Sequence, residues 1–178
     1  DTHLGPGTRT STTAWGYWVW DASNDRDYTA LAVGTLSQAP SKHHQWTQEI
    51  RWAGDLAPNL NGVFGFFAFN QNLRSNPVHT EAIGPDFLRF VARSPTDPDP
   101  ALWGPEDYDG LSSEITSELD TLSAAFFGQV EWAISDRVRL MPGLRLNYDQ
   151  KEADYNRRAL NVPTPAPPYA PYNDQAFF

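Results

Sequence analysis

Few side chains in this sequence have the type and spacing to do chemistry. Glu49 and Glu131 lie on the polar side of alternating segments, and two carboxylates flanking a sugar linkage are what a β-glycosidase uses for acid–base work. Neither has a supporting motif. Each has cations nearby in pattern (Arg51, Arg139 and Arg145), so charge balance across strands is the simpler account. Four histidines, His3, His43, His44 and His79, are the imidazoles available to a metal. His43 and His44 are adjacent, and adjacent strand residues point to opposite faces, so the pair does not chelate one ion. Asp21, Asn24, Asp25 and Asp27 have the acidic density of a calcium loop without the glycine and closing glutamate of the EF-hand pattern, and read as a solvated loop. Cysteine is absent, which removes disulfides, thiolate metal sites and thiol nucleophiles together. No catalytic residue, metal ligand or cofactor site is expected.

What remains is aromatic. Of 178 residues, 13% are Phe, Trp or Tyr, and 7 are Trp. Mean hydropathy is nevertheless −0.54. A polar average, many aromatics and no cysteine suit β-structure with one apolar face, in a soluble sandwich or an outer-membrane barrel. The formal charge of −9 disfavours nucleic acid and a polybasic grip on anionic lipid. The longest apolar run, 62–69, is far shorter than the roughly 20 residues of a membrane helix. Residues 1–7 have neither the basic nor the apolar region of a signal peptide.

The elements that would hold these residues are strands, since 15 prolines punctuate the chain and no stretch keeps a helical stripe. Strands are expected at about 10–20, 43–53, 60–73, 119–134 and 138–150. In the last two the even positions are apolar: Leu122, Phe126, Val130, Trp132 and Ile134, then Val138, Leu140, Leu144, Leu146 and Tyr148. Both sets must share a face, so paired positions must sum to an even number. That favours a three-residue loop, Ser135–Arg137, pairing Ile134 with Val138 and Trp132 with Leu140. Pro142 removes a ladder donor, and an irregularity is expected there. The connections alternate: a long loop at 21–42, a short turn at 54–59, a long loop at 74–118, the three-residue turn, and a long segment at 151–174. Long outer loops and short periplasmic turns are the pattern of an outer-membrane barrel.

Three stretches in this order resemble the TonB-dependent outer-membrane receptors. Gln45-Trp-Thr-Gln-Glu-Ile-Arg-Trp-Ala-Gly is similar to a barrel strand of that family with a Gln-Glu-(Leu/Ile)-Arg core, and Gly65-Phe-Phe-Ala-Phe-Asn-Gln to the strand after it. Ala124-Ala-Phe-Phe-Gly-Gln-Val-Glu-Trp resembles the family's Ala-x-Phe-Gly-Gln strand. Ser135-Asp-Arg-Val-Arg-Leu-Met-Pro-Gly-Leu-Arg-Leu-Asn-Tyr-Asp resembles its turn and Gly-Leu-Arg strand. The resemblance implies an all-β, antiparallel, up-and-down transmembrane barrel segment. About five strands cannot close, so an internal fragment of the family's barrel of about 22 strands is expected, with no counterpart of its plug domain.

The implied role is uptake of a scarce bulky nutrient (a siderophore, a cobalamin or an oligosaccharide) across the outer membrane of a Gram-negative bacterium. The implied partners are outer-membrane lipid, that small molecule and the TonB energy-transducing complex, with no bond chemistry and no nucleic acid. Trp15, Trp46, Trp52, Trp132 and Tyr148 then become an interfacial aromatic girdle, and substrate contacts are expected around the long loops 21–42 and 74–118, with Trp18, Trp20 and Trp103 as the aromatic candidates. The rival reading is a secreted carbohydrate-binding β-sandwich with a Trp-rich face.

Overall fold

The computed structural model describes residues 2–87, 104–162 and 175–177. Its strands form one antiparallel sheet: β1 (Thr2–Leu4), β2 (Gly7–Trp20), β3 (Ser23–Asn24), β4 (Leu36–Gln38), β5 (Ser41–Ala57), β6 (Leu60–Ser75), β7 (His79–Ala82), β8 (Ser112–Ser135), β9 (Val138–Leu140), β10 (Gly143–Leu160) and β11 (Gln175–Phe177). The order runs β1-β2-β5-β6-β8-β7-β4-β3, with β9 and β10 also on β8 and β11 on β10. Among the described residues the ladder does not close on itself, and no second sheet lies against it.

All five expected strands are present, and longer. Alternation of apolar side chains ends before the backbone ladder does, because hydrogen-bonded pairing continues where both faces are polar. β8 therefore starts at Ser112, seven residues before 119, and β10 continues to Leu160, so the loop expected at 151–174 begins after it. The turn between β5 and β6 contracts to Pro58-Asn59. β1 is an addition, folded onto β2 through Gly5-Pro6, where Gly5 takes the φ of 61° that side chains resist.

The hairpin register needs one correction. Trp132 pairs with Leu140 and Ala133 with Arg139 as expected, but Val138 pairs with Ser135 rather than Ile134. The turn is the two-residue Asp136-Arg137, the length whose backbone twist suits a hairpin. A bulge between Ala133 and Ser135 absorbs the odd residue and keeps apolar opposite apolar. At Pro142 the ladder breaks between β9 and β10, and the Pro142 carbonyl accepts the Val130 N–H at 3.0 Å.

The contacts divide the chain into two units. Unit 1 comprises Asp1–Tyr17, His43–Asn72 and Leu119–Glu152. Unit 2 comprises Trp18–Lys42, Leu73–Glu118 and Ala153–Phe178, and its small core is Ile83, Tyr108 and Leu111, with Phe87, Ala159 and Val162 against it. Burial, then the neighbouring Asp107 carboxylate, pushes the Tyr108 phenol above its usual value. The stretch expected as loop 21–42 carries β3 and β4, and β4 pairs with β7, which in turn pairs with the start of β8.

Candidate functional site

The strands of unit 1 present two chemically different faces. On one lie Trp15 and Tyr17 of β2, Trp46, Ile50 and Trp52 of β5, Phe64 and Phe66 of β6, Phe126 and Trp132 of β8, and Leu144, Leu146 and Tyr148 of β10. Contacts across strands fix that shared side: Trp52 stacks with Phe64, Phe66 meets Phe126 at 4.9 Å, and Trp132 pairs with Leu140. These side chains stand open, with Phe126 at 65%, Leu144 at 69% and Leu146 at 63% exposure. All five residues expected in the girdle lie on this face.

The opposite face is polar. Arg139 pairs with Glu131 at 2.9 Å, Gln71 meets His43 at 2.7 Å, and the Ser123 hydroxyl donates to Asp149. The side chains of unit 1 most sheltered from water, His43 at 6%, Thr121 at 6% and Ala125 at 3%, are here. A water-soluble sheet hides its apolar side and wets its polar one. Unit 1 does the reverse.

Polar residues on the apolar face satisfy one another. The Thr13 hydroxyl donates to Gln48 Oε1, and Gln48 Nε2 donates to Ser11 at 3.0 Å. Such closure is what polar groups in a hydrocarbon setting require. The exposed apolar stretches near 46–56, 60–68 and 138–148 match the about 9–11 residues that carry a tilted strand through a bilayer, and that near 122–134 is slightly longer. β8 has 24 residues, roughly 75–80 Å at the usual strand rise, well beyond any hydrocarbon core.

The sequence candidates separate. Trp18 and Trp20 alternate with Trp15 and Tyr17 onto the side of Gly16, which packs on Gln45 of the polar face, and both rings are exposed. Trp103 lies outside the described residues. Glu131 is engaged with Arg139 on β8 and β9, and Glu49 sits on β5. His43 faces Gln71 while His44 packs on Tyr17 on the other side, as adjacency predicts. Among the described residues no group of three His, Asp or Glu side chains is placed to hold a metal.

In unit 2 the acidic loop turns its carboxylates on its own backbone. Asp27 accepts from the Thr29 hydroxyl and from the N–H groups of Thr29 and Gly34, Asp25 accepts from the Asp27 N–H, and Asp86 accepts from the Ala32 N–H at 3.1 Å. The Thr29 hydroxyl first, then the Gly34 N–H, holds Asp27 below the usual carboxylate value of 3.8. The sequence reading missed Glu81. Its carboxylate takes Arg26 at 2.9 Å and Arg157 at 3.2 Å, with His79 at 3.8 Å, joining the 21–42 segment, β7 and β10. No local spacing signals it, because Arg26, Glu81 and Arg157 lie far apart in sequence.

No family model matches the chain, and no curated protein matches it. Among solved structures, the ferric yersiniabactin uptake receptor of Yersinia pestis superposes with a TM-score of 0.59 at 18% identity, over 98% of this chain and 21% of that one. The chain thus spans about one-fifth of the length of the receptor it is similar to. What that likeness shows, with the ladder itself, is the fold: an all-β antiparallel sheet of long strands, open among the described residues.

Proposed function

We propose that this chain is part of the β-barrel of a TonB-dependent outer-membrane receptor, importing a scarce bulky nutrient of the siderophore, cobalamin or oligosaccharide kind. One observation carries the reading: unit 1 exposes its apolar face and shelters side chains of its polar one. Lipid is the solvent in which that arrangement is favourable. The order of the family-like stretches and the superposition on an uptake receptor support it. In this reading the apolar face meets outer-membrane lipid and the polar face lines the lumen. Import draws its energy from the TonB complex, and no residue performs bond chemistry. Trp18, Trp20 and Trp103 are the aromatic candidates for the nutrient.

Quenching by brominated lipid tests this in single-tryptophan variants reconstituted into bilayers. Trp132 and Trp52 should be quenched strongly and Trp20 little. Monodisperse behaviour in detergent-free buffer, with no quenching at Trp132, would replace the proposal with the carbohydrate-binding module.

A further inference from the structure

The polar face of unit 1 carries cations that the transport reading does not use. A recess of about 590 Å³ there has Arg51, Asn61, Val63, Phe127, Glu131 and Arg145 among its lining residues. Glu131 is already engaged by Arg139. Among the described residues neither Arg51 nor Arg145 is paired with a carboxylate, although the chain has 22 acidic residues against 13 basic ones.

Arg145 is held in place. Its guanidinium carbon lies 5.6 Å from the Phe127 ring centre and 5.9 Å from that of Phe67, and its Nε donates to Asn147 at 2.7 Å. Phe127 in turn lies on the bare backbone of Gly65, where an added Cβ would come within 2.3 Å of the ring. Backbone, ring and guanidinium form three layers, so the two terminal nitrogens of Arg145 are presented with little freedom left to lose. Nε is spent on Asn147, and those terminal groups remain as donors.

We propose that Arg51 and Arg145 form an oxyanion site that takes the carboxylate of a small molecule whose apolar body lies on Phe127 and Val63. A fixed guanidinium lining the same recess as a second cation offers the forked, charge-assisted hydrogen bonding that a carboxylate matches. The aromatic floor selects for an apolar neighbour. Because the chain as a whole is acidic, the selection is made by this recess and not by the general field. The inference does not depend on the transport reading, since its measurement is binding and not uptake.

The test is titration of the full chain in zwitterionic detergent with benzoate and with benzyl alcohol, its uncharged counterpart, followed by ligand-observed NMR. Benzoate should bind saturably and at least about tenfold more tightly than benzyl alcohol. Arg145→Gln and Arg51→Gln should each weaken benzoate about tenfold, Arg145→Lys should weaken it about threefold, and Arg137→Gln, in the β8–β9 turn, should leave it unchanged. Circular dichroism identifies a variant that fails to fold. Arg51→Gln and Arg145→Gln change different strands, so either one, folded, decides. Equal affinity for the two probes, or no loss in a folded Arg51→Gln or Arg145→Gln protein, overturns the site. So does the absence of saturable benzoate binding, as when an acidic polypeptide segment already fills the recess.

Discussion

Units 1 and 2 obey opposite rules about water. Unit 2 hides Tyr108 and Leu111 almost completely and ties its acidic loop to its own backbone, as any domain in water does. Unit 1 leaves Phe126, Leu144 and Leu146 open and shelters His43 and Thr121 instead. The strands β2, β5, β6, β8 and β10 contribute residues to both. Amphipathic pattern therefore belongs to a stretch of strand and the medium around it, and one strand can change its rule along its length.

The largest expected effect lies in the unit 2 core. Leu111→Ala should cost about 3 kcal/mol, the usual range for a fully buried leucine, read as loss of unfolding free energy in denaturant titration. Leu146→Ala in unit 1 should cost far less of what burial supplies, since that side chain is 63% exposed within the chain. Equal losses at the two sites would erase the distinction between the units.

Next comes charge on the apolar face. Leu144→Arg should destabilise the bilayer-inserted protein by about 2–3 kcal/mol, whereas Leu31→Arg in the unit 2 loop should change stability by less than about 0.5 kcal/mol. Folding into vesicles, followed by tryptophan emission, measures both. A tolerated Leu144→Arg would place that face in water.

The smallest effect is acid sensitivity of the unit 2 loop. Asp27 is held below 3.8 in the folded chain, so the unfolded chain binds more protons between the folded value and 3.8. Its contribution is fully present above 3.8 and is lost as pH falls through the folded value. The Gly34 amide resonance should follow that titration, and Asp27→Asn should abolish the pH dependence. A Gly34 resonance that moves equally in Asp27→Asn would assign the sensitivity to another group.

What could be read from the sequence tracks where one face meets a uniform medium. From 122 to 148 the even positions face one apolar surroundings, and parity alone gave Trp132 opposite Leu140. Turn geometry then overrode parity at Ile134, because a two-residue turn with a bulge satisfies both. The stretch Ser112–Glu118 carried no such signal: Ser113 is buried for the Arg157 side chain and Ile115 is enclosed, so its inward positions are mixed in chemistry. β3, β4 and β7 were illegible for a related reason, since each has at most four residues, too few for alternation to show. The candidate anion recess was equally hidden. Gly65, Phe127 and Arg145 are unremarkable apart, and only strand pairing stacks them.

The bulge between Ala133 and Ser135 makes this hairpin forgiving of a change in length. Elsewhere in β8, losing one residue would turn every side chain beyond the gap onto the wrong face. Loss of Ile134 would instead leave Ala133 opposite Arg139 and Ser135 opposite Val138 in an unbroken ladder, with both strands still in phase. The chain thus keeps a spare residue beside a two-residue turn, a place in β8 where a deletion can be absorbed without rewriting which medium each side chain meets.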